Sequence, residues 1–395
     1  MKKSGLTEHD SLLKQLIEYR RELHMYPETS MKEYETTKRI KRWLEEEEIK
    51  ILDAGLEVGA IAEIKGEEEG PTIALRSDID ALPIGERTNL PYASKIKNVM
   101  HACGHDFHTA SMIGAAILLQ RRKKELKGTV RVIFQPGEEI AEGAKQIIKA
   151  GGLDGVSAIF GMHNKPDLPV GTVGVREGAL MAAVDRFKIE IYGVGGHAGI
   201  PNNTIDAVVV AGQLISALQT IVSRNLSAFD NAVVSITKLE AGNTWNVIAD
   251  HAILEGTVRV FQKEARGKIP QLMKQITEGI VSAFGATSKF NWYPSVTCVD
   301  NSPLFTEIVK RTGEELGYAV VEAEQSPAGE DFAYYQELIP GYFVWIGVDG
   351  QHDWHHPSFT LNEEALLVAA NYFSNLSVNV LNHLSKSNNQ KLTVN

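Results

Sequence analysis

Cysteine is almost missing from this chain: Cys103 and Cys298 are the only two in 395 residues. That excludes a disulfide-stapled secreted scaffold and fits a reducing, cytoplasmic setting. Basic residues are not in excess either. Asp and Glu number 50 against 40 Lys and Arg, a formal net charge of −10 with no basic stripe, so nucleic acid is not an expected partner. No unbroken apolar run approaches the ~18 residues of a membrane span, so no membrane association is expected. The opening segment MKKSGLTEHDSLLKQL starts with the lysine pair Lys2 and Lys3 but lacks the apolar core of ~7–15 residues that follows such charges in a signal peptide. What is present is the composition of an ordinary globular protein, 43% hydrophobic and 23% charged. At ~100–200 residues per domain the length suggests two domains. One feature is not ordinary: six of the 12 histidines fall in two short windows, 101–108 and 352–356.

Periodicity assigns an amphipathic helix carrying Leu12, Leu16, Tyr19 and Leu23, and a second over Lys32–Glu48 whose acidic end is a solvated face. Strands are expected at Thr72–Leu75, Thr129–Phe134 and Ala158–Gly161, with a small-residue helix at Thr109–Gln120. Strands alternating with helices imply an α/β fold with a mainly parallel sheet. Near residue 184 the texture changes, and RFKIEIY (Arg186–Tyr192) alternates as a half-buried antiparallel strand does. A helix over Thr204–Val222 follows, then strands at Ala232–Ile236 and Ala252–Val260, a helix over Lys263–Ala283 and a strand at Ser288–Tyr293. This is the order of a ferredoxin-like sandwich. Helix–strand alternation then returns with Leu304–Leu316, Gly341–Gly347 and Glu363–Leu384, before a polar, frayed tail from Ser385 to Asn395. The expected organisation is a ferredoxin-like domain at 184–295 inserted into a discontinuous domain of 1–183 plus 296–395.

The chemistry-bearing residues gather at expected strand ends. HACGHDFH, residues 101–108, precedes the small-residue helix, whose N-terminus favours a thiolate at Cys103. Thiolate and imidazole suit a borderline-soft divalent cation. Four more strand ends carry metal-ligand residue types: Asp78 and Asp80, Glu138 and Glu139, His163, and the pair His355 and His356. Ligand sites in open α/β sheets lie beyond the carboxyl ends of the strands. Adjacent side chains on an extended segment point opposite ways. One glutamate of the pair is therefore free to bind metal while the other moves protons, the division of labour that metal-assisted hydrolysis needs. Arg121–Lys124 is read as a favourable helix C-terminus, and Cys298 as a thiol without chemistry.

HACGHDFH, FQPGEE, GMHN and HHPSF, with RSDIDALP, resemble the di-metal aminoacylase/carboxypeptidase metallopeptidase superfamily. The resemblance is closest to its amidohydrolase branch of hippurate hydrolases, auxin–amino-acid conjugate hydrolases and bacterial N-acetyl-amino-acid deacetylases. It runs from Arg20-Arg21-Glu22-Leu23-His24 to the C-terminal helix. It implies a mainly parallel α/β metallohydrolase domain with an inserted ferredoxin-like dimerisation (lid) domain. It also implies two divalent metal ions per subunit, with zinc, manganese, nickel and cobalt all open. By the resemblance, Cys103 bridges the ions, Glu139 and His355 complete one shell, and His105 and His163 complete the other. The same alignment, and not the spacing, selects His355 over His356. Glu138 is implied as general acid/base, with Asp78 and Asp80 beside the metals.

In the inserted domain, GVGGHAGIPNN brings His197, which by the resemblance reaches across a dimer interface to polarise the scissile carbonyl. Asn246 and Arg259 match positions that bind the substrate's carbonyl or carboxylate. The chain departs from the family in having Ala249 where proline is usual and Gly137 where alanine is frequent. The segment Ala328-Gly329-Glu330-Asp331-Phe332 recurs in the family and has no role assigned here. The implied activity is removal of an N-acyl group, chiefly acetyl, from a small amino acid or derivative by a cytoplasmic homodimer. A dipeptidase or carboxypeptidase of the same superfamily is the nearest alternative. From other classes, a non-catalytic metal-binding or thiol redox-sensing protein, or a cysteine-nucleophile enzyme, would both be built on Cys103.

Overall fold

The structure is a computed structural model that describes residues 8–392. The chain divides into two compact units: Met1–Gly178 with Asp300–Glu324 and Asp331–Asn395, and Ala179–Val299 with Gln325–Glu330.

The first unit is built on an eight-stranded sheet. Its order is Lys50–Ile51, Ala60–Lys65, Lys127–Gln135, Glu68–Asp78, Val156–Lys165, Gly341–Gly347, Thr172–Val175, Ala319–Glu322. The four central strands run parallel, and antiparallel pairs are confined to the flanks. Gly341–Gly347 (GYFVWIG) is buried at every position and Val156–Lys165 at nearly every one. That is why these strands read as continuous apolar runs without alternation. The helix His105–Arg121 is buried along almost its whole length and packs between the sheet, the helix Glu8–Met25 and the helix Ala365–Leu392.

Three local differences from the sequence expectations matter for the site. The strand carrying RSD extends from Glu68 to Asp78, well beyond Thr72–Leu75, and so includes its own acidic residue. The helix after Cys103 starts at His105, four residues before Thr109, because Gly104 adopts a left-handed φ of +85° that turns the loop directly into the helix. His105 and His108 consequently share one face of the first turn. The last helix continues to Leu392; polar residues without Gly or Pro do not end it. Residues 393–395 of the tail and the opening MKKSGLT lie outside the described residues.

The second unit has a four-stranded antiparallel sheet in the order Ala232–Ala241, His251–Val260, Ala183–Tyr192, Thr287–Pro294. The helices Ala207–Leu218 and Lys263–Ala283 pack on it, giving the strand–helix–strand–strand–helix–strand order of a ferredoxin-like sandwich. The stretch Ala207–Asn225 is long and apolar enough to cross a membrane by length and composition alone. Gln213, Ser216, Gln219 and Thr220 interrupt it, so no unbroken apolar run marks it. In this fold Val210, Leu214, Leu218 and Ile221 from that stretch lie in the core of the unit.

Candidate metal centre

The carboxyl ends of the first unit's central strands hold a cluster of potential donors. Cys103 Sγ, a His105 nitrogen and a His163 nitrogen lie within 4.8 Å of one another, and so do donor atoms of Cys103, Glu139 and His355. The two triads share Cys103. Sequence reasoning singled out these five residues, and the fold brings them together. His356, left open against His355, accepts a hydrogen bond from Ser358 N at 3.1 Å and stacks on His352 at 4.2 Å between ring centroids. His355 has a left-handed φ of +64°, unusual for a residue with a Cβ, and its Nε2 lies 3.5 Å from Glu139 Oε1.

Hydrogen bonds fix the rings. His163 Nδ1 donates to Asn164 O at 2.9 Å, which leaves Nε2 as the lone pair, 3.3 Å from Cys103 Sγ. Burial, aided by His108, holds the His163 pKa well below 6.5, so the ring is neutral. His105 Nδ1 bonds Asp80 Oδ1 at 3.1 Å. Its Nε2 has no hydrogen-bond partner, and neither does the buried Glu139 Oε1 lying 3.9 Å away. Two buried polar atoms that face each other without a hydrogen bond fit donors left free for cations. Burial lowers the His105 pKa, but Asp78, Asp80 and Glu139 outweigh it and raise it to about 10 in the protein alone.

Cys103 corrects one expectation. Burial, with Glu139, Glu138 and Asp78 nearby, pushes its thiol well above 9, so the helix N-terminus does not make it a thiolate by itself. A bound cation would have to drive that deprotonation. Glu138 and Glu139 also differ from expectation. They lie on the short 3₁₀ turn Glu138–Ile140 that follows Gly137 at φ +61°, not on extended chain. Successive side chains there are roughly 120° apart, so the two carboxylates still diverge. Donor atoms of Glu138, Glu139 and His105 lie within 4.8 Å of one another.

Several residues around the cluster carried no assigned role in the sequence. His108 is no ligand: its Nδ1 bonds Asp78 Oδ1 at 2.6 Å and its Nε2 accepts from Asn164 N at 2.9 Å, so both nitrogens are engaged. Arg76 donates to Asp78 Oδ2 and Asp331 Oδ1, each at 2.8 Å, which places Asp331 behind Asp78. Burial raises the Asp78 pKa, yet His105, His108 and Arg76 outweigh it and hold Asp78 ionised. Glu33 is fully buried, and its Oε1 accepts from Gly137 N at 2.9 Å at the turn before Glu138. Burial and Asp80 raise its pKa to about 7. His101 is buried with neither ring nitrogen bonded.

The remaining candidates lie in the second unit. His197 is exposed on the two-residue strand Gly196–His197, which pairs with Val247–Ile248, and its Nδ1 accepts from Gly199 N at 3.0 Å. Asn246 is next to it, its carbonyl accepting from Ala198 N at 3.1 Å. Arg259, on the strand His251–Val260, is half-buried, and burial alone lowers its pKa.

The chain is similar along most of its length to known proteins. The chain is 63% identical over 367 residues to N-acetylcysteine deacetylase of Bacillus subtilis (strain 168), covering 93% of this chain and 97% of that one. It is 51% identical over 363 residues to N-acetyl-L-cysteine deacetylase of the same organism, covering 92% and 87% respectively. The crystal structure of Bacillus subtilis YXEP protein, described as a dinuclear metal binding peptidase from M20 family, superposes with a TM-score of 0.87 at 58% identity, covering 94% of this chain and 99% of that one. Residues 74–379 match Peptidase family M20/M25/M40, and the chain belongs to that family.

Proposed function

We propose that this chain is a metal-dependent deacetylase of N-acetyl amino acids, with N-acetyl-L-cysteine foremost among its substrates. As a family member with deacetylases among its relatives, it is an amidohydrolase acting on C–N bonds. The observation that carries the reading is the pair of donor triads meeting at Cys103, with Glu139 Oε1 and His105 Nε2 buried between them and without a hydrogen bond.

Cys103, His105 and His163 would hold one divalent ion, and Cys103, Glu139 and His355 the second. Zinc, manganese, nickel and cobalt all suit this mixture of thiolate, imidazole and carboxylate. When bound, such ions supply Lewis-acid polarisation of the amide carbonyl and bring the pKa of water to ~7. Glu138 takes a proton from the attacking water and passes it to the departing amine nitrogen. Asp80 orients His105 through Nδ1, and Asn164 O orients His163. Arg259, half-buried with no opposing charge offsetting its burial, suits a substrate carboxylate, and Asn246 assists it.

His197 donates to the carbonyl oxygen from a partner subunit, in a homodimer formed through the second unit. Phe229 (88% exposed), Trp245 (91%), Val208 and Val209 support that role, since apolar groups this exposed favour a covering surface. The second unit thus acts as dimerisation and lid domain. The low cysteine content supports a cytoplasmic location, where Cys103 stays reduced. The cysteine-nucleophile alternative is disfavoured, because the Cys103 thiol is pushed up, opposite to what a nucleophile needs.

A panel of N-acetyl amino acids and unmodified dipeptides tests the substrate class. Acetate release with little dipeptide cleavage is expected. Dipeptide cleavage without deacetylation would replace this reading with a dipeptidase.

A further inference from the structure

Asn164 directly follows the candidate ligand His163, and every polar atom it has is engaged. Its backbone N–H and its Nδ2 each reach His108 Nε2 at 2.9 Å. Nδ2 also donates to Cys103 O at 2.7 Å. Its backbone oxygen accepts from His163 Nδ1 at 2.9 Å and from Trp354 Nε1 at 3.1 Å, and its Oδ1 accepts from Trp354 Nε1 at 3.1 Å. The partners leave no freedom in the amide. Cys103 O can only accept and the indole N–H can only donate, so Nδ2 faces the cysteine loop and Oδ1 faces the tryptophan. Asn164 is fully buried, so each of these bonds is made without competition from water.

One residue therefore touches four segments that carry the donor cluster. These are the Cys103 loop, the first turn of the helix His105–Arg121, the end of the strand Val156–Lys165, and the loop where Trp354 precedes His355. The backbone N–H to His108 forces that ring's lone pair onto Nε2 and its proton onto Nδ1, where it meets Asp78 Oδ1 at 2.6 Å. The Trp354 ring also packs against His163, with centroids 4.5 Å apart and the ring planes tilted by 60°.

We infer that Asn164 is a positioning residue that sets the spacing of both donor triads by tying Cys103, His163 and the Trp354–His355 loop to one amide. The inference rests on the reading of Cys103, His163 and His355 as metal ligands, and it concerns the residue that holds them rather than the ligands themselves. Losing a partner that orients ligands typically costs ~10–100-fold in metal affinity.

The test is a cobalt(II) titration of the full-length protein, read by bound stoichiometry and by the near-ultraviolet thiolate-to-cobalt absorption. The wild-type protein is expected to take up two ions, with a thiolate band. Asn164→Ala, folded by circular dichroism, is expected to bind at least one ion ~10-fold or more weakly, with a weakened or shifted thiolate band. Trp354→Phe keeps an aromatic ring at this position, though a smaller one, and removes the indole donor. It is expected to weaken one of the two ions and leave the other unchanged, and it decides the matter if Asn164→Ala does not fold. A folded Asn164→Ala protein with wild-type affinity for both ions and an unaltered band overturns the role of Asn164 alone. With Asn164→Ala unfolded, wild-type affinity for both ions in Trp354→Phe does the same. Wild-type protein that takes up no cobalt overturns the ligand reading, and this inference with it.

Discussion

The backbone N–H of His355 donates to the carbonyl oxygen of Ala102 at 2.9 Å. This bond joins the two histidine-rich windows, far apart in the chain, at the residue next to Cys103. It also accounts for the left-handed backbone of His355, since the loop turns sharply enough to bring both its N–H and its ring to the cysteine loop.

The cysteine loop depends on Gly104. A Cβ added there would lie 2.5 Å from Asn164 Nδ2, and the φ of +85° is unfavourable for any residue with a side chain. Gly104→Ala is expected to destabilise the protein by at least ~1–2 kcal/mol. Urea unfolding with an unchanged midpoint would show that the loop accommodates the methyl group.

Glu33 gives a pH dependence with a defined sign. Its carboxyl ionises at about 7 in the folded chain, against an ordinary 4.5. Between those values the folded state keeps a proton that the unfolded state has released, so stability falls as pH rises through the window and levels off above it. Glu33→Gln retains an acceptor for Gly137 N and removes the charge. It should match the wild type near pH 4.5 and exceed it above pH 7, by on the order of 2–3 kcal/mol. Denaturant midpoints at the two pH values measure this, and equal gaps at both would contradict it.

Glu138→Gln separates proton transfer from metal holding. The variant should keep wild-type metal stoichiometry while turnover drops by roughly 10²–10⁴-fold. Activity within a few-fold of the wild type would remove Glu138 from the acid/base role.

The shared-site proposal is tested by mixing two inactive homodimers, His197→Ala and Glu138→Gln. Partial activity should return as subunits exchange, because one mixed site then carries both intact residues. Proven exchange without recovery would confine His197 to its own subunit.

Residue chemistry was legible where ligand types sit at strand ends, and so Cys103, His105, Glu139, His163 and His355 could be gathered before any geometry was known. The orientation of each ring was not legible, because it depends on partners distant in sequence. Within HACGHDFH, His108 looks like a further donor beside His105 until Asp78 and Asn164 engage both of its nitrogens. Glu33 and Trp354 act through contacts that no local pattern marks. The helix start at His105 was displaced because one glycine's backbone outweighs the small-residue periodicity that follows it. The parallel core strands were recognisable as short apolar runs alternating with helical patterns, whereas the short flank strands Lys50–Ile51 and Ala319–Glu322 carry too few residues to show a period.

Hydrolysis of an N-acetyl amino acid should show a dependence on divalent ions held jointly through Cys103. The most direct test is acetate release from N-acetyl-L-cysteine and N-acetyl-L-alanine by protein stripped of metal, then titrated with manganese or zinc while Cys103 accessibility to alkylation is followed. Activity should be absent after stripping and return in step with protection of Cys103, saturating at two ions per chain. Full activity in the stripped protein, or recovery with Cys103 still open to alkylation, would show that hydrolysis does not depend on ions held through Cys103.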